Sequence, residues 1–226
     1  MLSAILSWAK KRGEIKVNPC RGADVEKLYS GNRADRIWSD DWIKAFYKAA
    51  SDELALAMAL ALWTGQRQGD LLRLQWDAYD GKVIRLKQSK GGVEVTVPVA
   101  EPLIQALELK KPRHERILVN QEGQPWTPDG FRVSWGKACA KAKVPNGRNG
   151  GVTFHDLRGT AVTRLFIAGC IEGEIATITG HTLAMVRSIL DKNYFHRDIR
   201  LAQSAIEKYQ ATPFAKLEEA RFGEPI

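Results

Sequence analysis

The hydrophobic positions change period twice along the chain. Residues 3–12 repeat at helical spacing, with Ile5, Leu6, Trp8 and Ala9 set against Lys10, Lys11 and Arg12. Asn18-Pro19 ends that element, because the residue before a proline is steered away from helical angles. Residues 20–37 are polar and mixed in charge, and read as a linker. Ser39-Asp40-Asp41 is a helix start, a hydroxyl cap followed by carboxylates at the positive end of the dipole, and predicts a helix to about Ala50. The stretch 53–63 is apolar on nearly every side, which predicts a central buried helix. Gly65 breaks it, and a short helix is expected from Gln68 to about Gln75. The period then drops to two. Residues 82–88 and 93–99 alternate and read as two strands joined by the turn Ser89-Lys90-Gly91-Gly92. Helical spacing returns at 101–110, 128–142, 156–169, 172–178, 183–193 and 199–210, with a glycine-rich loop at 146–151. The predicted fold is mainly α with a small antiparallel β-sheet, an α+β domain without internal repeats.

Composition narrows the class. Of 226 residues, 44% are apolar and 27% charged, which excludes a disordered chain. No uncharged apolar run approaches the roughly 20 residues needed to span a bilayer. The first basic cluster follows the apolar start instead of preceding it, unlike a secretory leader, so a cytoplasmic chain with no membrane partner is expected. Cys20, Cys139 and Cys170 are odd in number and far apart, which argues for reduced thiols and against a zinc site. The net charge of +8 is uneven: +4 over residues 1–36, −3 over 37–80, +7 over 81–148 and zero beyond. Such basic stretches attract polyanions, nucleic acid first among them, although a high pI also serves solubility alone.

Five places carry polar residues that a purely structural sequence does not need. In Thr64-Gly65-Gln66-Arg67-Gln68-Gly69-Asp70, Arg67 and Asp70 sit three apart and can share a helix face. An arginine held this way offers a fixed fork to phosphate, but the pair also fits an ordinary surface ion pair. Lys90 stands in the hairpin turn, either solvated or delivered into a groove to donate a proton. His155 and Arg158 lie at i and i+3 on a starting helix. His181, in Thr179-Gly180-His181, precedes a helix that it can cap. Tyr194 follows that helix, where a tyrosine is usually half-buried packing.

Taken in order, the set carries more than its members. Two arginines, a lysine, two histidines and a tyrosine are the parts needed to break a phosphodiester. The arginines and His181 neutralise the non-bridging oxygens, the tyrosine attacks phosphorus, and a lysine or histidine handles protons. The sequence shows no carboxylate cluster to hold magnesium, which disfavours a two-metal nuclease; no metal and no cofactor are expected.

At these residues the sequence resembles the catalytic domain of the tyrosine recombinases, the phage-integrase type. Arg67 within Thr-Gly-Gln-Arg-x-x-Asp-Leu-Leu-x-Leu matches the first arginine motif, with Asp70 at its acidic position. Lys90 matches the hairpin lysine, His155-Asp156-Leu157-Arg158 the His-x-x-Arg motif, Gly180-His181 the Gly-His motif and Tyr194 the nucleophile. In many members the tyrosine follows the Gly-His histidine by nine residues. Here that position is Leu190, and Tyr194 lies thirteen residues after His181, a spacing that a variant of the family accommodates. Tyr209, within the predicted 199–210 helix, is the reserve nucleophile.

The resemblance implies a recombinase or integrase of double-stranded DNA that works through a 3′-phosphotyrosyl intermediate and leaves a free 5′-hydroxyl. Arg67, Arg158 and His181 would hold the scissile phosphate, His155 would assist, Lys90 would protonate the leaving oxygen and Asp70 would orient Arg67. Lys10, Lys11, Arg12 and Lys87 would contact DNA. Residues 1–37 resemble only the last helix and linker of the family's N-terminal core-binding domain, which implies a fragment. The catalytic domain would run over 38–210, with a tail at 211–226 that either docks in trans on a neighbouring protomer or folds back on its own domain. A monomer in solution that assembles to a tetramer on DNA is expected. The rival readings are a type IB topoisomerase-like enzyme and a catalytically silent DNA-binding fragment.

Overall fold

The computed structural model describes residues 2–20, 36–110, 112, 114–147 and 151–193, and beyond them 203, 206–208, 210, 211 and 213. The chain separates into two units, Met1–Asn32 and Arg33–Ile226. In the first, helix α1 (Leu2–Lys11) buries no residue. Its basic last turn, Lys10 and Lys11, complements the negative end of the helix dipole. The buried Asn18 amide donates to the Ser3 carbonyl (2.9 Å) and to Ser7 Oγ (2.8 Å), which folds the following segment back along the helix. The Arg12 guanidinium lies over the Trp8 ring at 4.4 Å.

The second unit holds α2 (Asp40–Ala49), α3 (Asp52–Thr64), α4 (Gln68–Leu71), a 3₁₀ turn (Trp76–Ala78), β1 (Val83–Lys87), β2 (Glu94–Pro98), α5 (Glu101–Glu108), α6 (Pro128–Lys141), α7 (Asp156–Ile167), α8 (Glu172–Thr179) and α9 (Leu183–Asn193). It is mainly helical with one small antiparallel sheet, the class that the periodicity predicts. Ser39 caps α2 by accepting the Trp42 N–H at 3.2 Å. Helix α3 is central: Leu56, Ala57, Leu60 and Ala61 are all buried, and it packs against both α5 and α7. Beside it an aromatic cluster joins Trp38 to α2 and α6. Phe46 and Trp135 lie 4.2 Å apart, and Phe154 meets Trp135 edge-on at 4.8 Å. Trp38 opens this unit firmly. Its backbone N–H donates to Thr160 Oγ1 and its indole to the Thr153 carbonyl, both at 2.9 Å, so α7 is tied to the chain just past the predicted linker. A smaller core of Val162, Ile175, Val186 and Leu190 joins α7, α8 and α9.

The hairpin runs from Val83↔Pro98 to Lys87↔Glu94, one residue shorter at each strand end than the alternation predicts. The helix expected to reach Gln75 stops at Leu71. Tertiary pairing overrides its helical pattern: the Leu74 carbonyl accepts the Ile117 N–H and the Trp76 N–H donates to the Glu115 carbonyl, both at 2.9 Å. The predicted 199–210 helix falls largely outside the described residues, of which Gln203, Ile206, Glu207, Lys208 and Gln210 are helical.

Candidate active site

Two helix ends deliver the polar residues. Helix α3 ends in Gly65 (φ 64°) and α8 in Gly180 (φ 66°), both left-handed, and each glycine N–H closes its helix onto a carbonyl four residues back. Space requires glycine here as much as φ does. A Cβ on Gly65 would lie 2.7 Å from Thr179 Cγ2, and one on Gly180 would collide with the Gln88 amide. The two turns and the end of β1 therefore abut. Arg67 follows as the extended cap residue of α4.

Arg158 projects from the first turn of α7 into this junction and is only 4% exposed. Its Nη1 donates to the Gly65 carbonyl, and its Nε donates to His181 Nε2 at 3.0 Å. Nη2 is buried and has no hydrogen-bond partner among the described residues. Burial, then the neighbouring Arg67 cation, push its pKa down to about 9, with Asp70 pulling the other way; the guanidinium still carries its charge at neutral pH. Arg67 donates from Nη1 to Gln88 Oε1 at 2.8 Å and lies 3.9 Å from Asp70 Oδ2. The Asp70 carboxylate is already engaged through Oδ1, which accepts from Arg73 at 2.8 Å and from the Ser89 N–H at 2.9 Å. That second bond fixes the base of the hairpin turn carrying Lys90.

The hydrogen bonds of His181 define its tautomer. The Thr179 hydroxyl donates to the Ile175 carbonyl at 2.6 Å, so toward His181 Nδ1, 2.8 Å away, it can only accept. Nδ1 therefore carries the proton, and Nε2 presents its lone pair to Arg158. Burial, followed by the Arg158, Arg67 and His155 charges, holds the pKa down to about 3, and the ring is neutral at physiological pH. His181 orients Arg158 through Nε2.

The structure thus brings together Arg67, Asp70, Arg158 and His181. His155 is exposed at the start of α7 and acts on His181 through its charge. The turn before it is fixed by the Asp156 carboxylate, which accepts from the Thr153 N–H at 2.6 Å and from the Thr153 hydroxyl at 2.9 Å. Lys90 is exposed at the hairpin tip. Lys87 points outward and faces Glu94 across the ladder at 3.6 Å, while Lys10, Lys11 and Arg12 belong to the first unit. Tyr194 and Tyr209 lie outside the described residues. Leu190, at the nine-residue spacing, is fully buried in the small core. Sequence reasoning passed over Gln88, Thr179 and Asp156. A signal for Gln88 was present: it continues the inward register of Ile84 and Leu86, where a polar residue stands out.

The phage integrase family profile matches residues 38–198, and the chain belongs to that family. A shufflon-specific DNA recombinase of Escherichia coli is 29% identical over 189 residues, which cover 80% of this chain and 46% of the relative. The integrase of Escherichia phage lambda is 42% identical over 102 residues, 44% of this chain and 28% of its own length. A lambda integrase dimer bound to a COC′ core site superimposes with TM-score 0.69 at 25% identity, covering 87% of this chain and 59% of that one. XerA recombinase gives TM-score 0.61 at 21% identity over 76% of this chain and 65% of its own, a likeness of fold. The chain spans less than half the length of these two curated relatives.

Proposed function

We propose that this chain cuts and rejoins DNA strands at specific sites, holding the scissile phosphate with Arg67, Arg158 and His181 and attacking it with Tyr194. The observation that carries the reading is buried Arg158, with N–H groups unspent beside a second guanidinium and one carboxylate already engaged. Around Arg158 and Arg67 the positive charge exceeds the negative, since the single Asp70 carboxylate is shared with Arg73 and the Ser89 N–H, and the two non-bridging oxygens of a phosphodiester supply the balance. The phenolic oxygen of Tyr194 bonds to phosphorus as the P–O5′ bond breaks. The 3′-phosphate stays on the tyrosine, and the departing 5′ oxygen takes a proton from Lys90. His155 receives the phenolic proton, and Asp70 keeps Arg67 and the hairpin in register. A 5′-hydroxyl from another strand reverses the step, so the covalent link conserves the bond energy. The two guanidiniums carry the charge, and no metal ion enters the scheme. Double-stranded DNA is the partner, with a monomer in solution and a tetramer on DNA. A lambda integrase tetramer bound to a Holliday junction, matched at TM-score 0.62 and 26% identity, supports that assembly.

The test is a nicked duplex carrying the insertion junction of the host element, read on a denaturing gel. A covalent adduct supports the reading, and a mobility shift without one supports a silent binder. Relaxation of supercoils without sequence preference points to the topoisomerase-like reading. Lys90→Ala is expected to slow cleavage about 100-fold or more, the range typical of a lost general acid. A 5′-bridging phosphorothiolate, whose sulfur leaves without a proton, is expected to restore the rate. Equal impairment on both substrates would make Lys90 a DNA-positioning residue.

A further inference from the structure

We propose that Gln88 is a positioning residue that fixes the Arg67 guanidinium for phosphate and couples it to the Gly180–His181 turn. The inference rests on the phosphate-holding role given to Arg67 above. Gln88 is 1% exposed at the end of β1, and each polar atom of its amide is used. Oε1 accepts from Arg67 Nη1 at 2.8 Å. Nε2 donates to Gln66 Oε1 at 2.7 Å and to the Thr179 carbonyl at 2.9 Å. Gln66 in turn donates from Nε2 to the Thr64 carbonyl at 2.9 Å and the Ile178 carbonyl at 3.1 Å, which aims its own oxygen at Gln88. The network admits one orientation of each amide. Turning Gln88 over would set its oxygen against two acceptors and its NH₂ against a guanidinium.

Two consequences follow from the chemistry of an amide at this place. First, the short contact that pins Arg67 is to a neutral acceptor, so it fixes the guanidinium's orientation without adding a second negative charge to that of Asp70, 3.9 Å away. A glutamate of the same shape would hold Arg67 harder and supply that second negative charge. Second, the amide spans three segments far apart in sequence: the first arginine motif, the hairpin that carries Lys90 and the Gly180 turn. A shift of the His181 turn is then felt at Arg67 through a single side chain. The collision expected for any Cβ at Gly180 comes from this same amide, so the turn and Gln88 are fitted to one another.

The test is a double-mutant cycle on the full chain, with single-turnover adduct formation on the nicked duplex as one readout. Gln88→Met is expected to slow cleavage about 10- to 100-fold, the cost of a slightly misplaced phosphate-binding group. In an Arg67→Lys background the same change is expected to cost less than about 2-fold, because its route of action is already gone. An equal loss in both backgrounds would mean that Gln88 merely supports the fold, and would overturn the proposal. The second readout needs no catalysis. Rotation of the Arg67 guanidinium, followed by nitrogen NMR on the signal lost in Arg67→Lys, is expected to be slow in the parent and in Gln88→Glu but fast in Gln88→Met. Unchanged slow rotation in Gln88→Met would overturn the proposal whether or not the chain forms an adduct. A parent chain that forms no adduct yet shows this rotation pattern would sink the recombinase reading and leave the pinning of Arg67 standing. Circular dichroism and thermal melting guard against misfolding of each variant, since Gln88→Glu also sets an oxygen against the Gln66 and Thr179 acceptors. Gln88→Glu is expected to keep slow rotation and still lose cleavage, and wild-type cleavage in that variant would overturn the role of the neutral acceptor.

Discussion

Replacing Tyr194 with phenylalanine is expected to remove covalent attachment to nicked DNA, by at least about 1000-fold, while DNA binding stays within a few-fold of the parent. The substitution deletes one oxygen and keeps the ring, so whatever packing the ring provides survives. The leaving group, the cations and the hairpin are untouched. A residual adduct can then come only from another nucleophile, and Tyr209 is the other downstream tyrosine. The assignment fails if Tyr194→Phe still forms the adduct and Tyr209→Phe does not. The fold already bears on the choice of position. Leu190, nine residues after His181, faces the core with Val162, Ile175 and Val186, and α9 continues to Asn193. A nucleophile at 190 would have to leave a packed core.

Much of this architecture was legible because local pattern and tertiary role agreed. The 53–63 run, apolar on nearly every side, became the central helix, which buries Leu54, Leu56, Ala57, Met58, Leu60 and Ala61. The alternation at 82–99 became the hairpin, and Gly65 and Gly180 ended helices where the periodic pattern broke. The expected helix to Gln75 failed because Leu74 and Trp76 found partners at Ile117 and Glu115, some 40 residues on, which no local window contains. The site divided the same way. Residue types and order brought out Arg67, His155, Arg158 and His181, because their chemistry is uncommon in combination. The tautomer of His181 and the grip of Gln88 on Arg67 were invisible. The tautomer turns on which way the Thr179 hydroxyl points, which residue types do not reveal, and the grip of Gln88 on hydrogen bonds between segments about 20 to 90 residues apart.

Arg158 is where structure and proposed chemistry are most tightly joined, and its replacement is expected to cost about 100- to 1000-fold in cleavage rate, as for loss of a preorganised donor to a developing charge. Arg158→Lys separates charge from geometry. An ammonium keeps the cation but lacks the planar fork, so it cannot serve the Gly65 carbonyl, His181 Nε2 and a phosphate oxygen from one rigid group. It is therefore expected to fall nearly as far as Arg158→Met. The two variants part at His181. Burial is the first cause of its low pKa, and the Arg158 cation the second. In Arg158→Met the burial remains and the cation is gone, so the imidazole pKa is expected to climb from about 3 part of the way toward the ordinary 6.5. In Arg158→Lys it is expected to climb less, because a positive charge still faces the ring. Imidazole proton NMR across pH 3 to 7 reads this directly, with no DNA present. Cleavage by Arg158→Lys within about 3-fold of the parent would show that charge alone suffices and that the fork is dispensable. An unmoved His181 titration in Arg158→Met would show that the pair does not interact, and the reading of Arg158 and His181 as one phosphate-binding unit would fall with it.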